Sequence, residues 1–270
     1  MFFPLRDRNP TTRTAVVTYS LVIANVLAFL WLWRMPDHRQ QLVVIQRGFI
    51  PARIAQLTNP RPLTIEVEQV GAMTPHGPIV HTQSYPLAPD RGSIFLSLFT
   101  CMFLHGGWMH LIGNMWFLWI FGNNVEDRLG SPLFLLFYLA GGLFATAVQW
   151  WADPASTVPV IGASGAVAGV LGAYAITWPW AKVSTFVVLI IFFTVVDLPA
   201  LVVLGIWFLL QLLEAGRTLG SMDVAYRSGV AFWAHVGGFA FGAVLMPVLG
   251  SLVPPPRPRL YEAALPEIID

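Results

Sequence analysis

The chain has 270 residues, of which 56% are hydrophobic and only 11% charged, with a mean hydropathy of +0.66. Because soluble domains carry about 25% charged residues, this composition indicates a protein that resides in a lipid bilayer. The net charge of +1 and the dispersed basic residues exclude a nucleic-acid-binding protein, and a single cysteine, Cys101, excludes an internal disulfide.

Long apolar segments recur along the chain, and six of them approach the roughly 20 residues that cross the hydrocarbon core of a bilayer. They are residues 15–33, 108–125, 132–151, 162–180, 198–215 and 230–250. The sequence therefore predicts an all-α polytopic membrane protein with six transmembrane helices. Residues 1–14 precede the first span and carry three arginines. This charge favours a cytoplasmic N-terminus, and an even number of spans returns the C-terminus to the same side.

A polar, proline-rich segment, residues 34–92, separates the first two spans and is expected to form a large extramembrane loop. Within it, residues 63–68 alternate between apolar and polar, and Pro75-His-Gly-Pro78 supplies a turn, so a small β-hairpin is expected. Residues 93–252 contain the other five spans. The proline-rich end, residues 253–270, is expected to be a short mobile tail.

One further apolar segment, residues 183–196, is too short to count as a full span. We expect it to be an interfacial or re-entrant piece. With six spans, the fourth and sixth enter the membrane from the same side, so Ser164 and His235, near their starts, lie at similar depth. A seventh crossing would separate these two residues onto opposite leaflets.

Ser164 lies in Gly162-Ala-Ser-Gly165, directly after a polar, proline-rich loop and at the predicted start of the fourth span. The first amides of a helix lack intrahelical partners and the helix dipole is positive there, so an oxyanion beside Ser164 would be stabilised. Small residues in such a helix also serve simply as a packing seam, and this motif alone does not separate the two interpretations.

His235 places an ionisable side chain inside an apolar span, where a functional role is the default interpretation. Gly238 and Gly242 follow at helical spacing and form a flat strip, and Gly165 and Gly169 offer a matching strip on the fourth span. Packing of the two strips would bring the serine close to the imidazole, which could then act as its base. A structural histidine bonded to a carbonyl group is the alternative.

A third polar cluster begins the second span. His110 and Asn114 are four residues apart and share a helix face, whereas His105 lies five residues before His110 and faces elsewhere. The spacing does not fit a zinc helix, and no acidic residue lies near these histidines, so neither a metal nor another cofactor is expected. Two neutral donors on one face suit an oxyanion site.

Taken in order, four motifs resemble the rhomboid family of intramembrane serine proteases across about residues 95–250. The motifs are His105-x4-His110-x3-Asn114, Gly122-x3-Glu126-x-Arg128-x-Gly130, Gly162-x-Ser164-Gly165 and Ala234-His235-x2-Gly238-x3-Gly242. Trp207-x3-Gln211 in the fifth span is also typical of the family. The resemblance implies a six-helix fold and a Ser-His dyad that cleaves near the extracytoplasmic face of the membrane.

Carried over residue by residue, the resemblance makes Ser164 the nucleophile and His235 the general base and acid. His110, Asn114 and the Ser164 backbone N–H would form the oxyanion hole. The remaining motif positions are implied to be structural, with Glu126 and Arg128 acting as a pair; they are His105, Gly122, Glu126, Arg128, Gly130, Gly162, Gly165, Gly238 and Gly242. Many members have an aromatic residue where this chain has Ala168, so other groups must position the imidazole here.

The implied substrates are transmembrane segments of single-span or polytopic membrane proteins, and the implied location is a bacterial inner membrane. One alternative is an inactive rhomboid-like protein that binds transmembrane clients. A transporter or channel with a histidine pathway is another, but it is disfavoured because no carboxylate lies near the histidines. Asp197, an acid in an apolar stretch, is expected to cap the fifth span.

Overall fold

The computed structural model describes residues 2–74, 77–189, 192–220 and 231–254, and long apolar helices dominate them. The helices of these described parts are α1 (Val16–Trp33), α2 (Asp37–Arg47), α3 (Arg91–Thr100), α4 (Trp108–Leu129), α5 (Ser131–Ala152), α6 (Ser164–Thr177), α7 (Ala200–Gly220) and α8 (Phe232–Leu252). The strands are β1 (Phe2–Asp7), β2 (Leu63–Thr74), β3 (Gly77–Leu87), β4 (Lys182–Leu189) and β5 (Phe192–Pro199).

Four of the described helices are long and apolar enough to cross a membrane, namely α1, α5, α7 and α8. Helices α3 and α4, joined by a short 3-10 turn, pass the same test together but are bent by 78° at their junction. Helix α6 is apolar but has only 14 residues, which is about 21 Å at 1.5 Å per residue. The chain is therefore a polytopic helical membrane protein, with each of the six predicted segments containing one of these helices.

Helix α6 occupies the middle of the bundle. Every residue from Gly165 to Ala175 is buried, and the helix packs against α4, α5, α7 and α8. The lack of a side chain at Gly165 and Gly172 allows this close packing, because a Cβ at either position would overlap a neighbouring helix. The glycines of α6 thus let the surrounding helices approach it closely.

The segment between α1 and α3 forms a small subdomain, which we call the hairpin subdomain (residues 37–87). Strands β2 and β3 pair antiparallel from Leu63↔Leu87 to Thr74↔Gly77, so the predicted hairpin is confirmed. The predicted turn includes Pro75 and His76, which lie outside the described residues. A 3-10 helix, Pro51–Leu57, follows α2. The subdomain's own core consists of five apolar side chains, from α2, the residue before this 3-10 helix and the two strands: Ile45, Ile50, Ile65, Tyr85 and Leu87.

The described residues of the apolar segment 183–196 belong to the antiparallel hairpin of β4 and β5 and not to a helix. Strand β1 from the N-terminus pairs with β4 and completes a sheet in the order β1-β4-β5. The cap role predicted for Asp197 is wrong. Its carboxylate lies 3.0 Å from the Arg8 guanidinium and accepts a hydrogen bond of 2.8 Å from Ser184 Oγ, so it joins sheet strands instead.

Polar contacts fasten several helix ends together at one end of the bundle. Buried Glu126, near the end of α4, accepts hydrogen bonds from the backbone N–H groups of Val17 and Thr18 at the start of α1, at 2.9 and 2.7 Å. It also accepts one from Ser131 Oγ at the start of α5. Arg128 donates to the carbonyls of Gly250 and Val253 at the end of α8.

Glu126 and Arg128 thus brace the helices as expected, but as two separate anchors. Glu126 bonds the start of α1 and Arg128 bonds the end of α8, so each side chain holds a different helix terminus. The starts of α1 and α5 and the ends of α4 and α8 therefore lie at the same end of the molecule. The opposite end of the bundle carries the starts of α4, α6 and α8.

Candidate active site

Ser164 is the first residue of α6 and follows a turn that only glycine fits well. Gly162 has a φ of +117° and donates its N–H to the Cys101 carbonyl at 2.8 Å. A Cβ on Gly162 would lie 2.6 Å from His110 Nε2 and 3.6 Å from Ser164 Oγ. The missing side chain therefore lets the His110 imidazole and the Ser164 hydroxyl approach the same small space.

The loop before Ser164 is fixed from two directions. Phe49 and Val160 exchange two backbone hydrogen bonds, of 3.0 and 2.7 Å, which tie the hairpin subdomain to this loop. On the other side, the Ala163 N–H lies 3.5 Å from His105 Nε2, which accepts from it. The His105 and His110 rings meet edge to face at 5.1 Å, so His105 is closer to His110 than its sequence spacing suggested.

Asn114 lies one helical turn after His110 on α4, and only 8% of its surface is exposed. Its Nδ2 is buried and donates no hydrogen bond to any described residue. A buried amide donor without an acceptor is costly, so its presence indicates a group that is available for another partner. The free amide donor of Asn114 and the imidazole of His110 thus lie on the same face of α4, and His110 is the one closer to Ser164.

His235 lies in the first turn of α8 and is 8% exposed. Its Nδ1 is 2.6 Å from Gln211 Oε1 on α7, and its ring centre lies 5.9 Å from the Trp207 ring. Phe232 approaches the imidazole at nearly a right angle, at 6.2 Å. A neighbouring helix and two aromatic rings therefore hold the imidazole.

Helices α6 and α8 contact each other through their backbones, as the two glycine strips predicted. A Cβ added to Gly238 would overlap the Gly165 carbonyl oxygen, and one added to Gly242 would overlap the Gly169 carbonyl oxygen. Next to the site, a Cβ on Gly165 would lie 3.7 Å from the Cβ of Ala234. The residue after Ser164 thus meets the residue before His235.

Ser164 and His235 lie at the adjoining starts of α6 and α8, but their side chains are not hydrogen-bonded to each other; the imidazole is bonded to Gln211. A small pocket beside Ser164 is lined by Gly162, Ala231 and Ala234, among others. In the dyad that the sequence predicts, a direct bond of about 2.6–3.2 Å is needed during attack. The proposed reaction therefore requires the two side chains to approach each other to this distance.

The remaining motif residues lie away from the serine. Glu126 follows His110 by 16 positions on α4, which separates them by about 24 Å along the helix. Gly130 joins α4 to α5 with a φ of +77°, and a Cβ on Gly122 would lie 3.1 Å from the Thr18 methyl group. These positions support packing at the far end of the bundle and do not line the site.

Two glutamines beside His235 were not assigned a role from the sequence. Gln211 belongs to a motif that was noticed, but its contact with the imidazole was not foreseen. Gln149 of α5 accepts the Ala234 N–H at 3.2 Å and so caps the start of α8. Both residues are amides within apolar spans, where polar side chains are uncommon, and that was the available signal.

Comparison with known proteins agrees with this arrangement. A family model described as Rhomboid domain matches residues 93–252. The chain is 30% identical over 160 residues to Rhomboid-like protein 11, chloroplastic, of Arabidopsis thaliana, covering 56% of this chain and 51% of that protein. It is 32% identical over 188 residues to Rhomboid protein 1, mitochondrial, of Saccharomyces cerevisiae, covering 66% and 49% respectively.

A shorter match, 43% identical over 76 residues, is to Rhomboid protease GluP of Bacillus subtilis, covering 28% of this chain and 14% of that protein. The chain thus spans about half the length, or less, of these curated relatives. The family model covers more than half of this chain, including all of α4 to α8. With the serine at the start of a buried central helix and a histidine on the helix packed against it, the conclusion is that this chain belongs to the rhomboid family.

Proposed function

We propose that this protein is an intramembrane serine endopeptidase that cleaves transmembrane segments of other membrane proteins. The observation that carries the proposal is the packing of α6 on α8, which brings the start of one helix, at Ser164, against the start of the other, at His235. A relative with protease in its name, Rhomboid protease GluP, adds support. Single-span and polytopic membrane proteins are the proposed substrate class.

In the proposed reaction, Ser164 Oγ attacks the carbonyl carbon of a substrate peptide bond while its proton passes to His235 Nε2. The C–N bond then breaks and the same proton goes to the leaving amine. Water attacks the resulting ester by the reverse sequence and frees the enzyme. The residues supply all the groups that these steps need, without a metal or another cofactor.

The negative charge that develops on the carbonyl oxygen would be stabilised by three donors. Two are side chains of α4, His110 Nε2, which must carry a proton for this role, and Asn114 Nδ2, which has no acceptor among the described residues. The third is the Ser164 backbone N–H in the first turn of α6. Donors fixed before the reaction are effective because they need no reorganisation when the charge appears.

For topology, we propose six crossings, with α6 counted as a short one. The polar network around Glu126 then marks one face of the membrane, and the serine lies near the other, on the side of the hairpin subdomain. This arrangement supports an extramembrane location for the hairpin subdomain and puts the starts of α1 and α7 on the same side. Some relatives are named as chloroplastic or mitochondrial, so the bacterial inner membrane expected from the sequence is not supported.

A second candidate is a client-binding rhomboid-like protein without activity. The observation that favours it is the lack of a direct hydrogen bond between Ser164 and His235, because an unassembled dyad would not activate the hydroxyl. The same helices would still offer a site for a transmembrane client. Activity measurements separate the two candidates.

The test uses the purified full chain in proteoliposomes with a panel of tagged single-span substrates, alongside Ser164→Ala. We expect the wild type to cut at least one substrate and to react with a fluorophosphonate at Ser164, whereas Ser164→Ala does neither and melts at the wild-type temperature. Cleavage that persists in folded Ser164→Ala would exclude this nucleophile. Binding of substrates without cleavage or labelling by wild type would favour the inactive relative.

A further inference from the structure

A hydrogen bond between helices α7 and α8 holds one ring nitrogen of the His235 imidazole. Nδ1 of His235 on α8 and Oε1 of Gln211 on α7 are 2.6 Å apart. A neutral imidazole carries one proton, which is on one ring nitrogen or the other. The partner of Nδ1 therefore decides the state of Nε2.

We propose that Gln211 is the positioning residue for His235 and that its amide oxygen selects the tautomer with the proton on Nδ1. The amide oxygen can only accept, so Nδ1–H donates to it and Nε2 is left with a free lone pair. This inference rests on the proposed function, in which Nε2 takes the proton of Ser164. The opposite orientation of the amide would protonate Nε2 and block that step.

Neighbouring groups support a positioning role. Trp207 lies one helical turn before Gln211 on α7, and its ring packs 5.9 Å from the imidazole. The two side chains thus contact the ring from one helix, by packing and by a hydrogen bond. Because Nδ1 and Nε2 are on opposite edges of the ring, anchoring Nδ1 on α7 directs Nε2 away from that helix.

A glutamine suits this position in a membrane protein. A carboxylate would select the same tautomer, but a buried charge in the bilayer is expensive, whereas a neutral amide oxygen is tolerated. Among the described residues, no acid contacts His235, and its hydrogen-bonding partner is this amide. Gln211 thus orients the His235 imidazole as a carboxylate would, but without a buried charge.

The first test compares Gln211→Met, which keeps the length of the side chain but has no amide acceptor, with Gln211→Glu, which keeps an acceptor oxygen. We expect Gln211→Met to lower kcat by about 10–100-fold with KM nearly unchanged, by analogy with other partners that orient an imidazole. Gln211→Glu should recover part of that loss. A Gln211→Met enzyme with wild-type kcat would overturn the proposal.

The matched control is Gln149→Met. Gln149 is also an amide in an apolar helix and also bonds α8, but it bonds the backbone N–H of Ala234 and not the ring. We expect this variant to lose thermal stability to an extent similar to Gln211→Met while kcat falls much less. Equal losses of kcat in the two variants would mean that Gln211 acts only by holding α8.

The deciding measurement does not need proteolysis. Nitrogen NMR of histidine-labelled protein, assigned with His235→Gln, reports which ring nitrogen carries the proton. We expect a proton on Nδ1 in the wild type and a mixture in Gln211→Met; a proton on Nε2 in the wild type would refute the proposal, even if Gln211→Met fails to fold. If Nδ1 is protonated but no substrate is cut or serine labelled, the proposed function fails and the contact stands.

Discussion

At the scale of single residues, Asn114 and His110 carry the proposed stabilisation of the oxyanion. Removing one such donor lowers the rate by about 10²–10³-fold in other enzymes. We therefore expect Asn114→Ala and His110→Ala each to lower kcat by about that factor and to change substrate binding much less. Single-turnover cleavage with the tagged substrates measures both quantities.

The control for this prediction is Asn25→Ala. Asn25 is also a buried asparagine, but its Nδ2 donates to the Leu21 carbonyl within α1. Its removal should leave the rate of cleavage by folded protein unchanged. If Asn114→Ala were as active as Asn25→Ala, the side chains of α4 would not take part and the charge would have to be stabilised by backbone groups.

At the scale of secondary-structure elements, the contact between α6 and α8 depends on glycines. A Cβ on Gly238 would overlap the backbone of Gly165, and neither backbone can yield without moving its helix. We expect Gly238→Ala to lower both the melting temperature in detergent and the cleavage rate, because van der Waals packing is a main source of helix association in lipid. Ser164→Ala should lose activity alone.

The chain offers a matched control on α7. A Cβ on Gly205 meets nothing within 4 Å, so Gly205→Ala tests the same substitution in open space. Alanine is the better helix former by about 0.8–1.0 kcal/mol, and this variant should be neutral or slightly more stable. Equal behaviour of Gly238→Ala and Gly205→Ala would show that the close approach of α6 and α8 is not needed.

Strand β1 is also bonded to the helices through Asp7. Its carboxylate accepts hydrogen bonds from Tyr174 Oη of α6 at 2.8 Å and from Asn124 Nδ2 of α4 at 2.6 Å. Burial raises the pKa of Asp7 above its usual 3.8, despite these hydrogen bonds, which lower it. A raised pKa in the folded state means that ionised Asp7 destabilises the fold above that pKa. The penalty disappears as the pH falls through the folded-state pKa towards 3.8.

We therefore expect Asp7→Asn to melt at a higher temperature than wild type at neutral pH, with the difference shrinking as the pH is lowered to about 4. Thermal melting of wild type and Asp7→Asn between neutral pH and about pH 4 measures this difference in melting temperature. A difference that stays constant with pH would mean that the effect comes from altered hydrogen bonds and not from ionisation of Asp7.

At the scale of the whole molecule, Glu126 connects α1, α4 and α5 at the end of the bundle opposite to Ser164. Its removal would leave the donors of Val17, Thr18 and Ser131 without an acceptor. Thr18 is buried, whereas Val17 and Ser131 are half-buried. Since an unsatisfied buried donor costs about 1–3 kcal/mol, we expect Glu126→Ala to lose about that much stability. Specific activity of the remaining folded protein should change little.

The surface pair Glu214 and Arg217 provides the comparison. Glu214 is 39% exposed in its side chain, and such pairs contribute about 0–1 kcal/mol. Glu214→Ala should therefore melt close to wild type. If Glu126→Ala also melted like wild type, the helices would be held together without its hydrogen bonds, and bundle stability would have to come from the apolar and glycine contacts.

Features that depend on neighbouring residues could be predicted from the sequence. The apolar segments, the start of α6 at Ser164 and the hairpin of β2 and β3 follow from hydropathy, turn residues and period-two alternation, all of which act over a few positions. The glycine strips of α6 and α8 were also recognisable, because small residues at helical spacing define a flat face. The motifs that resemble the rhomboid family, taken in their order along the chain, identified the candidate site residues.

Other features were decided by tertiary structure because they join residues far apart in the chain. The described residues of the apolar segment 183–196 form two strands, and the first of them, β4, pairs with β1, which lies about 180 residues earlier in the chain. In the same way, tertiary packing decided that Glu126 and Arg128 bond different helix ends and that Gln211 bonds His235. The sequence by itself determined which segments enter the membrane and which residue types stand at their starts, because the free energy of transfer from water is a local property of each segment. The hydrogen-bonding partner of each polar group depended on which helices pack together. In an apolar medium, a polar side chain bonds whichever polar group the packing brings within reach.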